Sequence, residues 1–182
     1  MPKLTDLVPM PHPTTVNGDK SPCPTSFLLR KFGHPRANYG TDCRPPSATF
    51  WKARIVTENV GLFKVTGHRK AVAQLKLALT DLKSEKPHVY AALGTAGMLC
   101  CRYVRGSDSV ISNHSLGLAI DFTLNGILDP RGDDKVQFGL LDLYSVMKRH
   151  GFYWGVEFGT EDAMHFEICS EMVMDWVRKG EF

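Results

Sequence analysis

Two histidines and several carboxylates in this 182-residue chain stand where they could share one metal ion. In SNHSLGLAID, His114 precedes Asp121 by seven positions, with Gly117 between them to let the histidine loop bend back. In DAMHFE, His165 and Glu167 alternate with Met164 and Phe166. Strand side chains alternate between faces. Leu118, Ile120, Phe122 and Leu124 therefore form one row, and Ala119, Asp121 and Thr123 the other. If both apolar rows pack on one core, Asp121 and His165 project from the same side of one sheet. Two imidazoles and one carboxylate suit Zn²⁺ and leave a fourth position open for water. One zinc ion is the expected cofactor.

The chemistry that follows is hydrolysis. Asp162, three residues before His165, is the candidate general base that takes a proton from the attacking water. Glu161 competes for that role and reads more readily as a solvated neighbour. Glu167 could orient a ligand from behind, and Ser112 could hold the histidine loop through its backbone. CCRYVRGSDS supplies Arg102 and Arg105, either of which could bind a developing oxyanion or a substrate carboxylate through its planar fork. For Arg105, a solvated loop position is an equal reading.

Those side chains need a scaffold. At this length the chain can bury a core without disulfides. It is 43% hydrophobic and 23% charged, the balance of a globular domain. A net charge of +3 with dispersed lysines and arginines does not point to nucleic acid. No run approaches the roughly 18 apolar residues of a membrane span. Prolines stand in the first residues where a signal peptide would be apolar. Synthesis in the cytoplasm is expected, with action on the substrate after release or export. Five cysteines without a CxxC pair read as free thiols, with room for one disulfide. Cys100 or Cys101 as a nucleophile is the competing enzyme reading.

Residues 1–24 are expected as an extended or loosely ordered arm, and residues 25–182 as a single metal-dependent hydrolase domain, monomeric. Thr25 is the candidate N-cap of a short helix that Gly33 stops. FWKARIVTENV and GLFKVTG read as extended. A helix runs from about His68 to Lys83, HVYAAL is a buried strand, and Gly94 and Gly97 make a turn. LAIDFTL and MHFEI are strands, and FYWGVEFG is a strand or strand-like turn. DKVQFGLLDLYSVMKRH is a helix, and Ser170 caps a last one that runs through Val177. Without steady strand–helix alternation, the class is α+β: a small antiparallel sheet carrying the site, flanked by helices.

SNHSLGLAID fits Ser-x-His-x-x-Gly-x-Ala-x-Asp, and DAMHFE fits the Asp/Glu-x-x-His element that follows it. Together with the aromatic GFYWG, they make the chain resemble the zinc D-alanyl-D-alanine carboxypeptidase family. That family includes vancomycin-resistance-type dipeptidases and bacteriophage L-alanyl-D-glutamate endolysins, and shares the hedgehog fold. The resemblance implies zinc on His114, Asp121 and His165, Asp162 as base, and Arg102 stabilising the tetrahedral intermediate. It implies a peptidoglycan stem peptide as substrate. Asp162 stands where some relatives have glutamate, and Glu167 where others have a histidine. Both features look endolysin-like. The alternative is a zinc-containing binding module of the same fold that has lost its chemistry.

Overall fold

The computed structural model describes residues 2–12 and 15–182. Its central sheet is antiparallel, in the order β4 (Leu93–Gly97), β5 (Ala119–Leu124), β9 (His165–Ile168) and β8 (Phe152–Trp154). A two-residue strand, β6 (Ile127–Leu128), folds back on β5 through Asn125 and Gly126, both at positive φ. The fold is α+β, with six α-helices among the described residues packed around small antiparallel sheets.

The alternation expected of the two central strands is what builds the core. Ile120, Phe122 and Leu124 of β5 and Phe166 and Ile168 of β9 are fully buried. They meet helix α3 (Arg69–Glu85), whose Ala71, Val72, Leu75, Ala78, Leu79 and Leu82 form one buried stripe. Helix α5 (Phe138–Arg149) adds Leu140, Leu143, Val146 and Met147 to the same cluster. Each large apolar side chain so buried contributes about 1.5–3 kcal/mol relative to exposure. The opposite face of the sheet is left for chemistry.

Other elements brace this unit. Strands β2 (Ile55–Asn59) and β3 (Lys64–His68) form a hairpin leading into α3. Strand β1 (Leu7–Pro9) pairs with β7 (Lys135–Gln137). The described part of the first 24 residues combines turns at residues 4–5 and 18–19 with the extended β1, and it is tied down. Asn17 is fully buried, donates to the Trp154 carbonyl and to Glu157, and accepts from the Trp154 amide. Met1, Pro13 and Thr14 lie outside the described residues.

Several local expectations change. HVYAAL is a helix, α4 (Pro87–Ala92), because Pro87 sits in its first turn, where a missing N–H costs nothing. The strand begins only at Leu93, and both Gly94 and Gly97 lie within it rather than in a turn, Gly97 following a register shift after Thr95. DKVQ contributes β7 before α5 starts at Phe138. Thr49–Lys52 is a helical turn, α2, ahead of β2. Helices α1 (Thr25–Phe32) and α6 (Ser170–Arg178) are preceded by Pro24 and Cys169, so neither Thr25 nor Ser170 is a cap residue. Cys43 and Cys100 form a disulfide, while Cys23, Cys101 and Cys169 are free and buried.

Candidate metal centre

His114, Asp121 and His165 converge over the two central strands of the sheet. Asp121 and His165 are direct cross-strand partners in the β5–β9 register. His114 comes from a 3₁₀ turn, Asn113–Leu116, whose N-cap Ser112 accepts the His114 amide on its hydroxyl. Gly117 ends the turn in the left-handed conformation at φ 65°. A Cβ on Gly117 would lie 2.6 Å from the backbone nitrogen of His68, whose N–H donates to the Gly117 carbonyl. The end of β3 thus presses against the histidine turn, and only glycine fits between them.

The donor atoms form a near-equilateral triangle. His114 Nε2 lies 3.2 Å from Asp121 Oδ1 and 3.2 Å from His165 Nδ1, and His165 Nδ1 lies 3.1 Å from Asp121 Oδ1. Ligands about 2.0–2.1 Å from a tetrahedral ion stand roughly 3.3 Å apart, so the spacing fits zinc. Each ring commits its other nitrogen elsewhere. His114 Nδ1 is 3.0 Å from the Met98 carbonyl, and His165 Nε2 is 2.9 Å from Glu167 Oε2. With those N–H groups donated outward, lone pairs face inward.

The electrostatics call for positive charge at the triangle. Burial opposes charging Asp121, yet His114 and His165 hold its carboxyl far below the usual range. Burial likewise disfavours protonating His165, but Asp121 and Glu167 outweigh it and raise its pKa to about 10. A bound cation would meet the same demand. Glu167, fully buried, also accepts the Cys23 amide at 2.7 Å and the Asn113 side-chain amide.

Asp162 shares a cavity of about 740 Å³ with the three donors, together with Arg102, Arg105 and Ser112. Its amide donates to the Gly155 carbonyl, and its carbonyl accepts from the His165 amide. Trp154 pins the same turn by donating from Nε1 to the Ala163 carbonyl at 2.6 Å. Burial pushes the Asp162 carboxyl up, as does the charge of Asp121, against the opposing effect of His165 and Arg131. Arg102 donates to the Tyr103 carbonyl, and Arg105 lines the cavity from an exposed position.

Glu161 is not a solvated neighbour. It is 4% exposed, accepting the Ala163 amide on Oε1 and the Gly132 and Asp133 amides on Oε2. These bonds bind the 129–134 loop to the turn carrying Asp162. Sequence reasoning also missed Arg131 of that loop, whose Nε lies 3.2 Å from Asp162 Oδ2. No motif or periodicity marks Arg131. The cysteine reading loses both candidates, because Cys100 is in the disulfide and Cys101 is 1% exposed with its thiol raised to about 11 by burial.

A family model described as D-alanyl-D-alanine carboxypeptidase matches residues 105–168. The resemblance read from the motifs holds. The matched stretch carries all three donors, Asp162 and Arg131, while Arg102 lies just before it. The match supports a peptidase, and the donor set could hold the metal such enzymes use. No curated protein matches the chain. Among the described residues, no helix is long and apolar enough to cross a membrane.

Proposed function

We propose that this chain is a zinc-dependent peptidase that hydrolyses an amide bond in the peptide stem of bacterial peptidoglycan. The bond is of the L-alanyl-D-glutamate or D-alanyl-D-alanine type. The observation that carries the reading is the convergence of His114, Asp121 and His165 in one cavity with Asp162, within the stretch matching the carboxypeptidase family. Zinc held by the three donors would supply Lewis acidity, which acidifies water and polarises a carbonyl near neutral pH.

The chain's own groups do the rest. Asp162 takes the proton from the attacking water, and as the C–N bond breaks it returns a proton to the leaving nitrogen. Arg102 offsets negative charge on the carbonyl oxygen as the tetrahedral carbon forms. Glu167 and the Met98 carbonyl keep both imidazoles in the tautomer that turns a lone pair towards the ion. We assign the action to the cell wall, reached after release or export.

Asp162→Asn tests the assignment. Zinc content should stay at the parental level while turnover of purified peptidoglycan falls by about 10²–10⁴. Parental turnover in this variant would remove Asp162 as the base. A zinc-loaded parent that releases no fragment from peptidoglycan would favour the binding-module reading.

A further inference from the structure

We propose that Arg131 recognises a carboxylate on the carbon that bears the leaving nitrogen, and so selects substrates whose leaving group is an α-amino acid with a free α-carboxylate. This rests on the peptidase reading above. The base that collects the proton from water must reach the leaving nitrogen to return it, so that nitrogen lies within hydrogen-bond distance of Asp162. A carboxylate one carbon away then falls within reach of a guanidinium beside Asp162. Arg131 is that guanidinium.

Its geometry suits the task. Arg131 meets Asp162 through Nε, and its two terminal nitrogens make no hydrogen bond among the described residues. They leave one edge of the planar fork open to a second carboxylate. The side chain is 29% exposed and lines the same cavity as the three donors. Its loop is fixed, because buried Glu161 takes the Gly132 and Asp133 amides while sitting next to Asp162 in the chain. Neither Arg102 nor Arg105 forms an ion pair with Asp162. Both bonds considered for this enzyme share the required chemistry. A terminal D-alanine and a γ-linked D-glutamate each present an α-carboxylate beside the scissile nitrogen.

The test compares each substrate with its α-carboxamide: a peptide ending in D-Ala-D-Ala, and L-alanyl-γ-D-glutamyl-L-lysine. The zinc-loaded parent should prefer the carboxylate by about 10- to 100-fold in kcat/KM on whichever peptide it cleaves. Arg131→Ala should bring that ratio near one, mainly through KM, since the carboxylate is held in both ground and transition states. Arg131→Lys should restore part of it. The ratio is internal to each variant, so a lower folded fraction does not alter it.

A second readout needs no turnover. D-alanine, but not D-alaninamide, should shift the Arg131 Nε–H resonance of the zinc-loaded protein. Cleavage with no carboxylate preference, or an equal kcat loss on both forms in Arg131→Ala, overturns the inference and leaves the peptidase reading standing. No cleavage of any peptide, with the resonance still responding to D-alanine alone, removes the peptidase reading and supports the carboxylate site. No cleavage and no shift overturns both.

Discussion

The inward-facing nitrogens of His114 and His165 are aimed by what each ring does with its other nitrogen. Glu167 offers the sharper test, since it holds His165 Nε2 at 2.9 Å while also accepting the Cys23 amide. Glu167→Gln keeps the shape, removes the charge behind the imidazole and loosens its tautomer. Zinc affinity, measured by competition with a chromophoric chelator, should fall by about 10- to 100-fold. The ligand candidates were legible because strand alternation is local, and one apolar row each for β5 and β9 puts Asp121 and His165 on the other face. Glu161 and Arg131 were not legible. Glu161 is buried only because the 129–134 loop returns to it from some thirty residues earlier, and no local pattern carries that return.

At the scale of elements, the site depends on a contact between β3 and the histidine turn. Gly117 combines a positive φ with backbone atoms 2.6–3.0 Å from where a Cβ would stand. Backbone cannot swing aside as a long side chain does. Gly117→Ala should cost about 2–4 kcal/mol in denaturant unfolding. It should also lower zinc affinity, because relief of the clash moves the His114 turn. Undiminished stability would show that β3 does not support the loop. The helices with an apolar stripe were readable, as α3 shows. HVYAAL was not, because a short apolar run suits strand and helix alike, and what decided it was Pro87 starting a new helix.

Across the whole molecule, two buried groups tie stability to pH in opposite directions. Asp129 is 2% exposed, with Oδ2 accepting the Gln137 amide and Oδ1 without a partner among the described residues. Burial raises its pKa to about 7, helped by Glu161, Asp133 and Asp162 and opposed by the Gln137 amide. A carboxyl raised in the folded state gives stability below its unfolded value and loses it as pH climbs from about 4 to about 7. His68 is fully buried and stacked on Phe182, with neither ring nitrogen bonded among the described residues. Burial lowers its pKa to about 3, with Arg69 and Arg54 adding to the effect. Its contribution is complete above about pH 6.5 and drains away as acid approaches that lower value. Asp129→Asn should therefore be more stable than the parent at pH 8, by about 1–3 kcal/mol. The advantage should vanish near pH 4. Melting curves of both proteins across that interval check it, and a constant difference would mean that Asp129 does not titrate in the folded protein.

The Cys23 amide held by Glu167 gives the lead-in a standing that its composition conceals. One carboxylate both grips a residue from the front of the polypeptide and steadies the imidazole of a candidate metal ligand near its far end. Anyone shortening this chain from the front would expect to shed packaging, and would instead remove a contact that runs into the candidate metal site.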